Sequence, residues 1–294
     1  MKDLQMKILQ PVFFSALDLY GHIPYFRGKG RLLFWLLQLL KSNGPLPIRL
    51  PDQSRILLTQ QRPEALTCLW LGMDHPKFAK VYWQVLCALP AGHSVIDAGA
   101  HIGYYALMAA HRLQQAGAGV VFAFEPHPIN FADLQRNQQL NNINNLIPIQ
   151  SAISDQTAKV ILFSGSSSVE PSLKQIPSHS TSYEVECTTL DDFIGSRSEA
   201  KIGLVKLDVE GAELPALYGA RKLIERDKPH IIYEELEERC RLFGYSIKDL
   251  RGFLESLGYK IYPIVDKSIV KDKPFVDNAL AVHKSQDLAF LSLI

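Results

Sequence analysis

The rhythm of apolar and polar positions changes near residue 90. Beyond it, short apolar runs alternate with longer stretches whose apolar residues recur every three or four positions. Residues 94–98 (SVIDA), 120–124 (VVFAF), 146–153, 159–163, 184–188, 203–209, 230–234 (HIIYE), 259–265 and 278–283 read as strands. Each is short, apolar and rich in β-branched or aromatic side chains. Residues 102–116, 129–140, 212–226 and 247–257 carry the helical period. Residues 164–182 are rich in Ser, Pro and Gly and read as a loop. Strand and helix in alternation predict an α/β fold with a mostly parallel sheet covered on both faces.

Residues 1–90 form a separate, mainly helical extension, and residues 91–294 form the α/β domain. Helical patterns cover 11–20, 32–40, 62–71 and 77–89, with a Gly- and Pro-containing loop at 21–30. Asn43-Gly44-Pro45 ends the second helix, and 47–59 (PIRLPDQSRILLT) alternates and turns like a small hairpin. The run LLFWLLQLL at 32–40 is nine residues long, well short of the roughly 20 that span a bilayer. It packs on its own domain or, with the basic residues of 27–41, lies on a membrane surface.

Composition changes little in this picture. The chain is 47% hydrophobic and 21% charged, with net charge +1. That is a soluble globular balance, with no overall charge to attract nucleic acid. Residues 1–60 hold eight Lys/Arg against three Asp/Glu, so the rest is slightly acidic. Cys68, Cys87, Cys187 and Cys240 lie far apart without zinc spacing and read as isolated thiols of a reducing compartment. The first residues, MKDLQMKILQPVFF, carry Asp3 and Pro11 and no small-residue cleavage site. The expected location is cytoplasmic, with peripheral membrane contact as the variant.

Candidate chemistry begins where the first strand of the domain enters DAGAHIGYYAL, residues 97–107. Open parallel sheets bind ligands at the carboxyl ends of their strands, where the strand order reverses. Gly99 would let a ligand approach the backbone, and Gly103 would let the helix pack close. The pattern D-x-G-x-x-x-G lacks the G-x-G-x-x-G pyrophosphate spacing. Asp97 would repel a diphosphate but suit S-adenosylmethionine, which offers an ammonium, a sulfonium and ribose hydroxyls. Glu125, 22 residues past Gly103, ends the second strand where an acidic residue holds ribose hydroxyls. Ala152, after the third strand, is a candidate neighbour of the adenine.

VIDAGAHIGYY, FEPHPINFADLQRNQQLNN, KLDVEGAELPALYGA and KPHIIYEEL, in this order over roughly residues 80–285, resemble the FkbM family of S-adenosylmethionine-dependent methyltransferases. The resemblance implies a doubly wound, mostly parallel seven-stranded sheet of the Rossmann-like methyltransferase type, with an antiparallel last strand. It implies O-methylation of a sugar, glycan, glycolipid or polyketide-like acceptor. Asp97, Gly99, Gly103 and Glu125 match its cofactor positions, and Ala100 and Ala152 are the further cofactor-side candidates. Asn137 and Asn141 match helix asparagines of structural character. His101 stands where the family usually has asparagine, and is a substrate-side candidate.

KLDVEGAE, residues 206–213, ends the fourth strand of the resemblance with three carboxylates. Methyl transfer to a hydroxyl needs in-line positioning and removal of one proton. Asp208 is the first candidate base and Glu210 the second. Crowded carboxylates raise one another's pKa. Glu213 either caps the next helix or binds substrate, and Glu234, ending the fifth strand, is a substrate-side candidate. Of the run Glu234, Glu235, Glu237 and Glu238, the remainder reads mostly as a solvated face. Asp208, Glu210 and Glu234 could present oxygens to Mg²⁺, but no metal is predicted. Lys206 is either a solvated strand residue or, the favoured reading, the buried partner of a carboxylate. Residues 164–182 are a candidate substrate lid. Two competing readings stay open: an NAD-dependent oxidoreductase or other sugar-modifying enzyme on a related sheet, and a non-catalytic scaffold.

Overall fold

The computed structural model describes residues 46–49, 54–58, 76–165, 171–195, 197, 200–264 and 277–286. The helices expected over 11–20, 32–40 and 62–71 and the membrane-surface segment 27–41 lie outside the described residues. No described helix is long and apolar enough to cross a membrane.

An antiparallel hairpin, β1 (Leu46–Arg49) and β2 (Arg55–Leu58), comes first, as its alternation predicts. It is followed by α1 (Pro76–Ala88), β3 (Ser94–Ala98), α2 (Tyr104–Gln115), β4 (Val121–Phe124), α3 (Pro128–Leu140) and β5 (Leu146–Ile149). Then come β6 (Ala152–Ile153), β7 (Ala158–Ser164), β8 (Thr181–Thr188), α4 (Leu190–Gly195), β9 (Ile202–Leu207), α5 (Glu213–Tyr218) and α6 (Arg221–Asp227). β10 (His230–Glu235), α7 (Glu237–Leu242), α8 (Ile247–Ser256), β11 (Tyr259–Ile264) and β12 (Asp277–His283) complete the order.

Seven strands form the main sheet in the order β11-β12-β10-β9-β3-β4-β5. β5, β4, β3, β9 and β10 run parallel, and β12 pairs antiparallel with both β10 and β11. This is the doubly wound sheet that the alternation and the resemblance predict. β3 and β9 are buried along their whole length, because apolar side chains cover both faces. Val81, Tyr82, Leu107 and Leu134 pack on the face of Leu204 and Ile232. Leu214, Leu217, Leu223 and Leu250 pack on the face of Ile96 and Leu207. Strand order reverses between β3 and β9, so the crevice expected for a ligand opens at their carboxyl ends.

The short helices α4 and α7 fall where none is expected, and two expected elements are divided. Residues 146–153 are not one strand. The Ser151 N–H bonds the Ile149 carbonyl at 3.0 Å, the chain turns, and β6 joins a separate sheet in the order β6-β8-β7. β7 and β8 alternate between exposed and covered positions, as suits a sheet with one open face. Residues 212–226 are not one helix either. A Cβ on Gly219 would lie 2.2 Å from the Ser154 carbonyl oxygen, so this glycine marks a close approach of two backbones. Asp191 then accepts from the N–H groups of Lys222 and Leu223 at 3.0 and 2.8 Å, which starts a second helix there.

The two helix asparagines attach the hairpin to the domain. Asn141 exchanges side-chain hydrogen bonds with the Arg55 N–H and carbonyl, both at 2.7 Å. Asn137 accepts from the Leu57 N–H at 2.9 Å and donates to the Ile102 carbonyl at 2.8 Å. It therefore spans from the hairpin to the glycine turn. Asn137→Ala leaves both backbone groups without this partner and is expected to destabilise by about 1–3 kcal/mol, read by urea denaturation. Asn141→Ala, at a more exposed position, is expected to cost less.

Candidate active site

Two loops meet at the reversal of strand order. Residues 99–103 follow β3, and 208–212 follow β9. The first is pinned to the next strand, since the Gly99 and Ala100 N–H groups both donate to the Phe124 carbonyl, at 3.0 and 2.9 Å. The second is pinned to the first, since the Asp208 N–H donates to the Ala98 carbonyl at 3.0 Å. Gly99 has φ +78, and a Cβ there would sit 1.8 Å from the Asp208 carbonyl oxygen. What this glycine admits is the neighbouring loop, where ligand approach was expected. Gly103, at φ +95, brings α2 against Leu134 of α3, 2.6 Å from where its Cβ would lie.

Below the loops, Lys206 is buried in β9 between two carboxylates. Its Nζ lies 3.2 Å from Asp97 Oδ1 and 3.2 Å from Asp208 Oδ2. It also donates to the Gly99 carbonyl at 3.4 Å. Burial disfavours the ammonium, but Asp97 and Asp208 outweigh it and hold the lysine pKa above its ordinary value. Burial pushes the Asp97 carboxyl up, and Lys206 offsets part of the rise. The cation that Asp97 meets is thus the protein's own, and Lys206 is the buried partner that its place beside Asp208 suggests. Asp208 differs from Asp97 in access, with 44% of its side chain exposed.

Glu125 is buried at the end of β4 and anchors the surrounding loops. Its Oε2 accepts from the His101 N–H at 2.8 Å. Its Oε1 accepts from the His127 N–H at 3.0 Å and from Asn130 Nδ2 at 3.4 Å. Burial raises its pKa to about 7, against the pull of these donors. His101 has φ +52, a left-handed conformation in which Asn, Asp and His are enriched among non-glycine residues. A histidine fits that conformation as an asparagine would. Tyr104 and Tyr105 pack in the core. The His127 ring meets Tyr183 of β8 edge-on, with centroids 4.8 Å apart. Ala152 is buried with Leu162, Val185 and Cys187 in the small core of the second sheet.

The loop after β9 brings the remaining carboxylates together. Glu210 sits at φ +55, with Oε2 3.5 Å from Arg239 Nε. Glu213 turns back on its own loop, accepting from the Val209 and Gly211 N–H groups at 3.0 and 3.4 Å. Tyr245 donates to its other oxygen at 3.3 Å. Burial lifts the Glu213 pKa to about 7. Glu234 carries the strongest effect, raised by burial and then by the charges of Asp208, Glu210 and Glu213, with Arg239 opposing. The expected crowding therefore falls on Glu213 and Glu234. Glu235 is not solvated as expected, because it is buried and ion-paired with Arg251. Among the described residues, no three His, Cys, Asp or Glu side chains are grouped to hold a metal ion.

Part of the expected lid is described. Ser172 forms a β-bridge with Phe163, and its hydroxyl donates to the Glu210 carbonyl at 3.0 Å. Lys174 Nζ lies 5.7 Å from the Phe243 ring centroid. This segment straps the second sheet to the loop that carries the carboxylates. Ser172, Arg239 and Tyr245 were not singled out in the sequence, since their partners are 38, 29 and 32 residues away. No local pattern marks such contacts.

The Methyltransferase FkbM domain model matches residues 97–261, more than half of the chain. Methyltransferase 1 of Beauveria bassiana (strain ARSEF 2860) is 27% identical over 192 residues, covering 58% of this chain and 74% of that protein. The 31-O-demethyl-FK506 methyltransferase FkbM of Streptomyces tacrolimicus is 29% identical over 196 residues, covering 56% and 73%. The solved methyltransferase FkbM from Methylobacillus flagellatus KT aligns with TM-score 0.46 at 19% identity. That alignment covers 74% of this chain and 54% of the other, so the chain spans about half the length of that protein.

Lys206→Met is expected to destabilise the protein by about 3–5 kcal/mol, because it leaves a buried carboxylate unpaired. Adding Asp97→Asn should recover part of the loss, since it neutralises that carboxylate. Chemical denaturation of the two variants beside the wild type checks both statements.

Proposed function

Since this chain belongs to the FkbM family of S-adenosylmethionine-dependent methyltransferases, we propose that it methylates a hydroxyl group of a small molecule, with Asp208 as the base. The observation that carries the reading is the exposed Asp208 carboxylate beside the buried Lys206 at the strand-order reversal. The Streptomyces relative's name refers to a 31-O-demethyl substrate, which favours oxygen as the acceptor atom. Sugars and polyketide-like products are the acceptor classes proposed.

The residues present suit the cofactor. Glu125 is a buried carboxylate at the crevice, held by N–H groups of two loops, and a carboxylate has acceptor sites beyond the three occupied here. In this reading it receives the ribose hydroxyls, while the backbone of Gly99, Ala100 and Gly103 shapes the turn beside it. When bound, S-adenosylmethionine supplies a methyl on a sulfonium, a leaving group that is already activated. Asp208 accepts the proton of the acceptor hydroxyl. Lys206 holds the Asp208 carboxylate in place and keeps a positive charge beside it. Glu210, tied to Arg239, borders the acceptor side, and Glu213 supports the loop from within.

Asp208→Asn is expected to lower kcat by about 10²–10⁴-fold while leaving cofactor affinity within a few-fold, as read by labelled-methyl transfer and by calorimetry. An unchanged kcat would move the base elsewhere.

Cofactor affinity is expected to depend on pH through Glu125. The free carboxyl has a pKa of about 7, and ribose hydroxyls donate to its ionised form, so binding lowers that pKa. Affinity should therefore fall as pH drops below 7, by about tenfold per unit until the bound-state pKa is reached. Glu125→Gln should bind more weakly and lose the dependence, which separates Glu125 from Glu213.

A further inference from the structure

Glu234 stands among the other carboxylates of the cluster, with the Arg239 charge opposing them only in part. Its Oε2 is buried and without a hydrogen-bond partner. Around it stand Asp208 and Glu210 on the loop after β9, Glu213 on α5 and Arg239 on α7. Asn278 of β12 is its register partner. On its own strand, Glu235 is neutralised by Arg251. Of the nearby cations, Lys206 is paired with Asp97 and Asp208, and Arg239 Nε lies 3.5 Å from Glu210. A buried carboxyl among like charges takes up a proton rather than remain ionised.

We propose that Glu234 works as a neutral carboxylic acid that donates a hydrogen bond to the acceptor, and that Asp208 and Glu234 together select a vicinal diol. The geometry follows from the sheet. β9 and β10 are parallel with Leu207 opposite Tyr233, so Asp208 and Glu234 are the next pair along. Alternation puts them on one face, the face of Lys206 and Ile232. Neighbouring strands are about 4.8 Å apart, a separation that two oxygens on adjacent carbons can bridge, each reaching one carboxyl. The hydroxyl to be methylated gives its proton toward Asp208. The oxygen beside it accepts from Glu234. A base and an acid at this spacing read a diol, where two carboxylates would read a cation. The burial and like-charge crowding that raise the Glu234 pKa agree with this protonation.

The diol assignment rests on the O-methylation reading, whereas the protonation of Glu234 does not, so the test has two arms. The first is infrared difference spectroscopy of the full chain against Glu234→Gln at pH 8, above the values near 7 of Glu125 and Glu213. A carboxylic acid carbonyl band that vanishes in the variant is expected. Its absence overturns the proposal whatever the acceptor. The second arm measures labelled-methyl transfer from S-adenosylmethionine to pyranosides with two adjacent hydroxyls and to their monodeoxy counterparts. Transfer to the diols should be about 100-fold faster. Glu234→Gln, which keeps a donor, should lose far less activity than Glu234→Leu. Glu234→Leu should lose about 100-fold or more. Equal rates on diol and monodeoxy acceptors overturn the diol assignment. No transfer to any hydroxyl overturns it together with the O-methylation reading, and the infrared band tells the two failures apart.

Discussion

Lys206 holds a positive charge in the middle of the sheet, where an isolated ammonium would be far less stable than in water. Asp97 and Asp208 make that charge tolerable, each 3.2 Å from it. One carboxylate belongs to the strand beside β9 and the other directly follows β9. The lysine consequently fixes where the two strands end relative to each other. Both loops of the site begin from those ends, so their placement depends on this triad. A hydrophobic replacement could pack as well, but it would not hold the Asp208 carboxylate in a defined position.

The loops above are held in conformations that L-residues seldom adopt. His101 and Glu210 both have φ near +50, at a cost of about 1–3 kcal/mol each when the surroundings enforce it. Each is held by contacts from elsewhere in the fold. Glu125 takes the His101 N–H, and Ser172 bonds the Glu210 carbonyl. The second sheet thus supports the chemistry through its strap, and α3 supports it through Asn137, which ties the glycine turn to the N-terminal hairpin. Gly99 belongs to the same logic, since its missing side chain is what lets the two loops touch.

The carboxylates divide by surroundings rather than by residue type. Asp97 is neutralised by Lys206, Glu213 is spent on its own loop, and Glu210 is matched with Arg239. Glu125 is surrounded by N–H donors. Asp208 combines the Lys206 ion pair with access from solvent, in keeping with the base role proposed for it. Glu234 has a buried Oε2 and like charges around it, in keeping with the acid role proposed for it. Six acidic side chains near one crevice therefore need not act alike, and their local partners decide which form each prefers.

Much of this was legible in the chain itself. The alternation of short apolar runs with helical periods determined the parallel sheet, because a strand buried on both faces must be apolar throughout, as β3 and β9 are. The family was legible as a resemblance carried by four segments together, VIDAGAHIGYY, FEPHPINFADLQRNQQLNN, KLDVEGAELPALYGA and KPHIIYEEL, whereas spacing alone placed Asp97 and Glu125 at strand ends. Lys206 also declared itself, as a charge inside an apolar strand. The tertiary structure alone decided the division of labour. Whether Glu213 faces a ligand or its own loop, whether residues 146–153 stay in one sheet, and which backbone Gly99 admits depend on groups distant in sequence. Hydrogen bonds and charge pairs between such groups leave no period or spacing in the chain, and they set the protonation and access on which the chemistry turns.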